Sequence, residues 1–278
     1  MGKNILLIND LPGYGKVALA AMFPILSHMG HSVYNLPTAL VSNTLDYGEF
    51  EIMDTAGYME KTAEIWEHLG FSFDCIATGF IVSQEQVRLI TDFVHRQKAK
   101  KPDLLLIVDP IMGDSGTLYN GVSPETVDLM RELIRLADVI IPNFTEAAFL
   151  VGKYAGQVSL TQLEISDLLK ALCAMTPGSV VITSLEETGT GSHMVYGRSD
   201  EETFSIPYEE IPVRFPGTGD IFSAVLTGEL LDGSPLRKAV KAAMDAVEVL
   251  IQANVGNEDK YKGIPIEECL QLLEKVHK

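Results

Sequence analysis

Short runs of Val, Ile and Leu recur along the chain, and longer amphipathic stretches separate them. The clearest run reads DLLLIVDP and covers residues 103–110. The other strand-like runs lie at 4–9, 30–37, 73–79, 137–143 and 178–184. A strand with one wet face alternates apolar and polar residues, whereas a strand covered on both faces reads as a continuous apolar run. The runs therefore predict a parallel sheet with helices on both faces.

Helical patterns fill most of the chain between these strands. They cover residues 16–29, 58–69, 84–98, 124–136, 145–151, 160–175, 219–231, 235–253 and 265–277. One of them opens with SPETVDLM, in which Ser123 is a predicted N-cap and proline takes the first helical position. Strands that alternate with helices are typical of a doubly wound α/β architecture, in which ligands bind at the carboxyl ends of the strands.

The stretch 185–217 breaks this alternation, because it is rich in Gly, Thr, Glu and Tyr. Its pieces SHMVYG and ETFSIPY are strand-like and predict a β-hairpin at the edge of the sheet. No linker, low-complexity tract or internal repeat divides the sequence, so we expect a single domain over residues 1–278.

The charge balance limits the classes of partner. The chain carries 38 acidic and 21 basic residues, a formal net charge of −17. A field of that sign repels nucleic acid and anionic membranes, but it does not exclude a nucleotide whose phosphates are masked by Mg²⁺.

The first apolar run, Ile5–Ile8, is too short for a signal peptide or a membrane span, so we expect a cytoplasmic protein. Cys75, Cys173 and Cys269 are too dispersed for a disulfide framework or a metal motif.

The first glycine-rich stretch, NDLPGYGKVALA at residues 9–20, invites comparison with a phosphate-binding P-loop. A P-loop would need glycine where Asp10 stands. It would also need Ser or Thr after Lys16, where the chain has Val17. The P-loop interpretation therefore fails at two positions.

The same stretch fits a dinucleotide fingerprint locally, as Gly13-x-Gly15-x-x-Ala18. That fingerprint also needs an acid about twenty residues further on, and none follows until Asp46. The simpler interpretation is a strand–helix turn whose glycines supply positive φ. Since the turn follows the carboxyl end of a strand, a ligand contact there is plausible.

The stretch FPGTGDIFSAVLTGEL, residues 215–230, carries the strongest chemical signal. Gly217, Thr218, Gly219 and Asp220 stand at the start of a helical pattern, where backbone N–H groups and the helix dipole attract an anion. An aspartate in that first turn can accept a proton from a hydroxyl nucleophile, as phosphoryl transfer requires. Alternatively, Asp220 is only a favourable charge at a helix N-terminus.

Further polar residues follow two predicted strands. Asp109 and Asp114 come after one strand, and Asn143 and Glu146 come after the next. Each of them alone could be a helix cap or loop residue. Carboxylates that gather at neighbouring strand ends suit Mg²⁺, often through water.

The motifs VDPIMGD, IPNFTEA, VVITS and PGTGDIFSA occur here in the order and spacing of the ribokinase-like superfamily. Together with NDLPGYGK and ATGF, they make the chain resemble the pyridoxal kinases within it. The resemblance covers roughly residues 5–254. It implies a three-layer α/β/α sandwich with a mostly parallel central sheet.

The resemblance also implies roles for single residues. Asp220 would be the base, and Gly217, Thr218 and Gly219 would form an anion hole for the transferred phosphoryl group. The nucleotide would contact Asp109, Asp114, Tyr119, Asn143, Thr183, Ser184 and Phe215. Mg²⁺ and water around the triphosphate would be held by Asp109, Glu146 and Asp114, with Asn143 nearby.

On the acceptor side, the resemblance implies contacts from Asp10, Ser42, Thr44 and Phe80. The loop VSNT, residues 41–44, would close over the ring and Phe80 would stack on it. Two departures concern this side alone. The chain has Thr44-Leu45-Asp46 where relatives often have His-Thr-Gly, and Phe80 where they have Tyr.

The expected activity is ATP-dependent phosphorylation of the 5′-hydroxymethyl group of pyridoxal, pyridoxamine or pyridoxine, by a homodimer. The alternatives are a hydroxymethylpyrimidine kinase and a non-catalytic ligand-binding member of the same fold. The pyrimidine enzymes often carry cysteine where this chain has Asp220. A non-catalytic member would be expected to lose either that aspartate or the glycine loop.

Overall fold

A computed structural model describes residues 2–274. In chain order, its strands are β1 (Asn4–Tyr14), β2 (Ser32–Asn43), β3 (Ile52–Asp54), β4 (Cys75–Thr78), β5 (Leu105–Val108), β6 (Gly113–Asp114), β7 (Thr117–Leu118), β8 (Val139–Ile140), β9 (Ser159–Leu160), β10 (Ser179–Glu187), β11 (Ser192–Arg198) and β12 (Thr203–Tyr208). Its helices are α1 (Ala18–His28), α2 (Ala56–His68), α3 (Gln84–Lys100), α4 (Thr126–Ile134), α5 (Phe144–Val151), α6 (Gln162–Cys173), α7 (Thr218–Leu231), α8 (Leu236–Asn254) and α9 (Ile266–Leu273).

Within this described part of the chain, ten strands form one sheet in the order β12-β11-β10-β8-β5-β4-β1-β2-β3, with β9 beside β10. The strands from β10 to β2 run parallel, and β3, β11 and β12 are antiparallel to their neighbours. The predicted edge hairpin is formed by β11 and β12. The remaining two strands, β6 and β7, pair with each other.

The central sheet is buried on both faces, as its apolar runs predict. In β1, Leu6 and Ile8 pack into one apolar cluster with α2 to α6, while Ile5 and Leu7 pack into a second cluster with α1, α7, α8 and α9. The result is the predicted three-layer α/β/α arrangement with a mostly parallel sheet. No helix among the described residues is long and apolar enough to cross a membrane.

The first two strands are longer than the predicted strands 4–9 and 30–37. Beyond the sheet centre, Leu11 pairs with Leu40 and Tyr14 with Asn43, and β3 adds to the other side of β2. The turn predicted to follow Asn9 and the loop predicted at 41–44 are therefore largely strand. Backbone pairing between the two segments stabilises this extension. Because the pairing does not require apolar side chains, the sequence shows no apolar run that would have predicted it.

Some helix ends also differ from the prediction. The first helix begins at Ala18 rather than at 16, because Val17 has an extended backbone and Lys16 pairs with Gly263 in a β-bridge. The N-cap of α4 is Glu125 rather than Ser123, whose carbonyl accepts the N–H of Thr126. The last predicted helix reached 277, and its residues 275–277 lie outside the described residues.

Candidate active site

The N-terminus of α7 lies where the sequence predicts an anion site. Gly217 is its N-cap, with φ of 86°, and the next residues supply N–H groups that a helix leaves without intrahelical acceptors. A Cβ on Gly217 would come within 2.6 Å of the carbonyl oxygen of Lys16. Glycine is therefore required here both for its positive φ and for close contact with the chain entering α1.

Asp220 lies in the first turn of α7 and is only 7% exposed. Burial raises the pKa of this carboxyl to about 6, although hydrogen bonds from the Ala18 backbone and the Asn9 side chain act in the opposite direction. Ala18 itself has a positive φ of 48°, uncommon for a residue with a side chain. A carboxyl of this kind can hold a proton and release it near neutral pH, as a general base must.

Asn9, at the point where β1 leaves the centre of the sheet, was missed by the sequence analysis. Its side chain is buried, and its Nδ2 lies 3.4 Å from Oδ1 of Asp220. Its Oδ1 accepts the backbone N–H groups of Phe80 at 2.7 Å and of Asp10 at 3.0 Å. A single asparagine in a β1 run carries no motif that would have revealed this contact with a residue more than two hundred positions away.

Asp109, at the end of β5, faces the same helix. The hydroxyl of Ser223, one turn after Asp220, donates to Oδ2 of Asp109 at 2.5 Å. Burial raises the pKa of Asp109 to about 8, and the nearby charge of Asp220 adds to that effect against the Ser223 hydrogen bond. Ser223 is a second polar residue of this site that the sequence analysis missed.

Asn143 and Glu146 form a capping box at the start of α5. The backbone N–H of Glu146 donates to Oδ1 of Asn143, and the N–H of Asn143 donates to Oε2 of Glu146, both at 2.9 Å. Oε1 of Glu146 also accepts the N–H of Met112 at 3.1 Å. Burial and the charge of Asp109 raise the pKa of Glu146 well above its usual value. The two acids therefore lie close enough to repel each other.

The β6–β7 hairpin brings Asp114 and Tyr119 to this group. The amide of Asn143 donates to the carbonyl of Gly113 at 2.8 Å, which fixes the hairpin to the start of α5. Burial, together with the charges of Glu146, Asp114 and Asp109, raises the pKa of the Tyr119 hydroxyl. The structure thus places Asp109, Asp114, Tyr119, Asn143 and Glu146 together, as the sequence predicts.

The other three residues predicted on the nucleotide side have different surroundings. Thr183 pairs with Asn143 across neighbouring strands, its N–H donating to the carbonyl of Pro142 at 3.0 Å. Ser184 is exposed and has a positive φ of 57° at an irregularity in β10. Phe215 is only 3% exposed and packs in the apolar cluster under α7, so its ring does not face an open surface as an adenine contact would require.

Two of the four residues predicted on the acceptor side lie beside Asp220. Burial and the charge of Asp220 raise the pKa of Asp10 to about 7. Phe80 is buried, its N–H bound by Asn9 and its carbonyl accepting the Thr38 hydroxyl at 2.7 Å. Both residues are thus connected to Asp220 through Asn9 or through charge.

The other two acceptor-side residues make contacts elsewhere. The Thr44 hydroxyl donates to the carbonyl of Tyr261 at 2.6 Å, and the Thr44 side chain is buried. Ser42 is exposed on β2, where its hydroxyl donates to Asn43 at 2.7 Å and accepts the N–H of Glu51 at 2.9 Å. Neither hydroxyl can donate a hydrogen bond to a ring without giving up a protein contact, although each can still accept one.

Two charged residues of the same region are paired. Asp46, one of the departures from the family pattern, accepts a hydrogen bond from Arg214. Lys16 forms an ion pair with Glu267 on α9. Because its ammonium group is paired with Glu267, Lys16 does not take the role of a P-loop lysine.

The residues present suit Mg²⁺ only together with a ligand. Among the described residues, no group of three or more His, Cys, Asp or Glu side chains is placed to hold a metal ion. Asp109 and Glu146 offer hard oxygen atoms, and the repulsion between them would be relieved by a cation. Mg²⁺ is commonly bound by one or two carboxylates together with phosphate oxygens and water, and this pair fits that pattern.

Comparison with known families gives a match over most of the chain. Residues 23–264 match the family model described as phosphomethylpyrimidine kinase. This segment contains all of the strand ends described above except that of β1.

Solved structures are similar over nearly the whole chain. A Bacteroides thetaiotaomicron protein, provisionally described as a phosphomethylpyrimidine kinase and crystallised with pyridoxal, is 35% identical, with a TM-score of 0.92 and coverage of 99% of this chain and 96% of that one. The pyridoxal kinase of Lactobacillus plantarum is 30% identical, with a TM-score of 0.87 and coverage of 99% and 98%. The pyridoxal kinase of Leishmania donovani, in complex with ADP and pyridoxamine, is 27% identical, with a TM-score of 0.84 and coverage of 98% and 96%.

Proposed function

The chain belongs to the phosphomethylpyrimidine kinase family within the ribokinase-like superfamily, and we propose that it phosphorylates the 5′-hydroxymethyl group of a vitamin B6 compound with ATP. Pyridoxal is the first candidate acceptor, with pyridoxamine and pyridoxine as close relatives. The similar structures that hold pyridoxal, or ADP with pyridoxamine, support this choice of substrates.

The observation that carries the proposal is the position of Asp220. It stands at the N-terminus of α7, among backbone N–H groups, and it is buried beside Asp10 and Asn9 at the end of β1. A base and an anion site in the same helical turn suit transfer of a phosphoryl group to a hydroxyl. A helix charge that served stability alone would not need to be buried with a raised pKa.

In the proposed reaction, Asp220 accepts the proton of the acceptor hydroxyl as the hydroxyl oxygen bonds to the γ-phosphorus of ATP, while the bond from that phosphorus to the β–γ bridging oxygen breaks and ADP leaves. The N–H groups of Gly217, Thr218 and Gly219 would stabilise the negative charge on the transferred group. Asp10, with a pKa of about 7, can share a proton with a ring nitrogen of the acceptor. Phe80 would supply an aromatic surface beside the ring.

ATP and Mg²⁺ would occupy the side of the site formed by the ends of β5 and β8. Asp109 and Glu146 would hold Mg²⁺ directly or through water, with Asp114, Tyr119 and Asn143 near the phosphates. Bound there, Mg²⁺ would neutralise phosphate charge.

Because the proposed reaction depends on Mg²⁺, we expect EDTA in excess over divalent metal to abolish turnover and added MgCl₂ to restore it, as a coupled ADP assay would measure. Turnover that persists in EDTA would contradict the role of these acids.

A second acceptor, hydroxymethylpyrimidine, is favoured by the description of the matching family model. Asp220 argues against it, since the pyrimidine enzymes that this chain resembles often have cysteine at that position. A non-catalytic role is opposed by the presence of both the aspartate and the glycine loop. The Thr44-Leu45-Asp46 segment is the sequence feature on which the acceptor choice depends.

The test is ATP-to-ADP turnover with Mg²⁺ against pyridoxal, pyridoxamine, pyridoxine, hydroxymethylpyrimidine, ribose and adenosine. The proposal predicts turnover with at least one B6 compound and none with ribose or adenosine. Turnover with hydroxymethylpyrimidine alone would transfer the assignment to the second candidate. Binding of pyridoxal by equilibrium dialysis without any turnover would favour a non-catalytic protein.

The proposal also includes a single kinase domain over residues 1–278, a homodimer and a cytoplasmic location. The single domain is proposed because no linker or internal repeat divides the sequence, and the dimer because of the resemblance to the family. A homodimer would have twice the 30.4 kDa chain mass, and sedimentation velocity at micromolar concentration would test for a species of that mass.

A further inference from the structure

We propose that Asn9 is a positioning residue, which holds the Asp220 carboxylate and the backbone of the acceptor site in one fixed arrangement. The inference deepens the proposed function and rests on it. Asn9 is not part of the glycine loop and would not touch the reacting atoms. Its contacts, however, join the base on α7 to the two acceptor-side residues Asp10 and Phe80.

The orientation of the Asn9 amide follows from its partners. Two backbone N–H groups, those of Phe80 and Asp10, point to Oδ1 at 2.7 and 3.0 Å. An amide oxygen can accept both bonds, whereas an NH₂ group in that place would face two donors. Nδ2 must therefore point the other way, towards Oδ1 of Asp220 at 3.4 Å.

The packing around Asn9 supports a specific role for this side chain. A Cβ on Gly79 would come within 2.5 Å of Cγ, Nδ2 and Oδ1 of Asn9, so a glycine at 79 is needed to admit the amide. The Sδ atom of Met22 lies 3.7 Å from Nδ2 on another side. Because the amide is enclosed, it has no room for a different rotamer, and its NH₂ group remains directed at the base.

The charges around Asp220 explain why a neutral donor is useful there. The carboxyl of Asp10 on β1 and that of Asp109 on β5 both interact unfavourably with the Asp220 charge. Asn9 and the Ala18 N–H supply hydrogen bonds to the Asp220 carboxylate without adding charge. Without the amide, the carboxylate would lose a side-chain donor and be held less firmly facing the acceptor hydroxyl.

The competing interpretation is an ordinary buried asparagine that satisfies two backbone N–H groups. Two substitutions separate the two roles. Asn9→Asp keeps an oxygen for the N–H groups of Asp10 and Phe80 but removes the NH₂ group that faces Asp220. Asn9→Leu has similar size and removes both functions. Met22→Leu is the matched control, because Met22 touches the same amide without contacting the base.

Steady-state kinetics with pyridoxal and MgATP give the first readout. We expect Asn9→Asp to lower kcat by about 10- to 100-fold and to change KM for pyridoxal by less than about threefold, since the acceptor-side bonds persist. We expect Asn9→Leu to lower kcat and also to raise KM for pyridoxal. Met22→Leu should stay within about twofold of the wild type in both constants.

A double-mutant cycle gives the decisive kinetic result. If Asn9 acts through Asp220, adding Asn9→Asp, which keeps the acceptor-side bonds, to Asp220→Asn should lower the residual kcat by less than about twofold. A further fall of tenfold or more would overturn the inference, because a purely structural role would act independently of the base. An unchanged kcat in Asn9→Asp alone would also overturn it.

Unfolding in urea gives a readout that does not depend on activity. Asn9→Asp places a second carboxylate against Asp220 and should lower the midpoint of unfolding. In the exchanged pair, Asn9→Asp with Asp220→Asn, an amide again faces a carboxylate, and the midpoint should return towards the wild-type value. A midpoint no higher than that of Asn9→Asp alone would contradict the contact. Absence of wild-type turnover with every B6 compound would instead overturn the proposed function and leave this result to be judged separately.

Discussion

At the start of α5, on the proposed nucleotide side of Asp220, a capping box joins two residues that are close in sequence, whereas the Thr44–Asp46 segment on the proposed acceptor side is held by residues far away in the chain. Asn143 and Glu146 bind each other three residues apart at the start of α5. Thr44, by contrast, binds the carbonyl of Tyr261, and Asp46 pairs with Arg214. The proposed nucleotide side thus contains a local motif that the Thr44–Asp46 segment lacks, although it also has the long-range bond from Ser223 to Asp109.

This difference explains where the family pattern is kept and where it changes. A capping box or a glycine-rich helix start depends on a few adjacent residues, and a change in any of them breaks the unit. The Thr44-Leu45-Asp46 segment is held by partners far away in sequence, so it can change together with them. Asp46 has such a partner in Arg214, and Tyr47 donates to Asp259 at 2.6 Å.

The largest expected effect is on the nucleotide side of this comparison. Asp220→Asn should lower kcat by roughly 10²- to 10⁴-fold, because it removes the base and preserves its shape. The dissociation constant of MgATP should change by less than about threefold, as isothermal titration would measure. Asp232→Asn, at the exposed end of the same helix, is the control and should retain full activity. Retained turnover in Asp220→Asn would remove that residue from the proposed mechanism.

A second change tests the close contact that places α7. Gly217→Ala should reduce the free energy of unfolding by roughly 2–4 kcal/mol, because an L-residue is strained at this φ and its Cβ would meet the Lys16 carbonyl. Displacement of the helix start should also lower kcat by about tenfold or more. Chemical denaturation and turnover would measure the two effects.

Gly233→Ala is the matched control for this change. Gly233 also has a positive φ, of 89°, but a Cβ there would meet nothing within 4 Å. The Gly233→Ala substitution should lower the free energy of unfolding by only about 1 kcal/mol and leave kcat unchanged. Equal destabilisation by the two substitutions would show that the contact with Lys16 has no special importance.

On the acceptor side, Asp10 makes stability depend on pH. Its folded-state pKa of about 7 lies above the ordinary pKa of 3.8 for an aspartate, so the stability it contributes is present below about pH 4 and is lost as the pH rises through 7. Asp10→Asn removes this titration. The variant should match the wild type near pH 4 and exceed its unfolding free energy at pH 8 by on the order of 2–4 kcal/mol. Asp200→Asn, at an exposed turn, should show no such difference, and parallel curves for Asp10→Asn and wild type would contradict the burial of this charge.

The smallest effect is expected at Ser42, and it separates the family pattern from the geometry. If Ser42 contacts the ring as the resemblance implies, Ser42→Ala should raise KM for pyridoxal about tenfold or more. Because its hydroxyl binds Asn43 and Glu51 in an exposed strand, we expect a change of less than about threefold. A large rise in KM would mean that this strand rearranges when the acceptor binds.

Much of the fold, and the grouping of polar residues at the ends of β5 and β8, could be predicted from local sequence. The apolar runs at 103–110 and 178–184 have no alternation because both faces are covered, and GTGD stands directly before an apolar helix. The prediction was wrong where the structure depends on distant pairing. The extension of β1 and β2 past the sheet, and the contact between Asn9 and Asp220, join segments with no common motif.

The central claim is that the acceptor is a B6 compound, and a competition assay tests it most directly. Pyridoxal and hydroxymethylpyrimidine at equal concentration would be incubated with limiting MgATP, and mass spectrometry would measure the ratio of the two phosphorylated products. For a B6 kinase we expect pyridoxal phosphate in at least tenfold excess, a preference of about 1.4 kcal/mol in the transition state. An excess of the pyrimidine product, or no product at all, would contradict it.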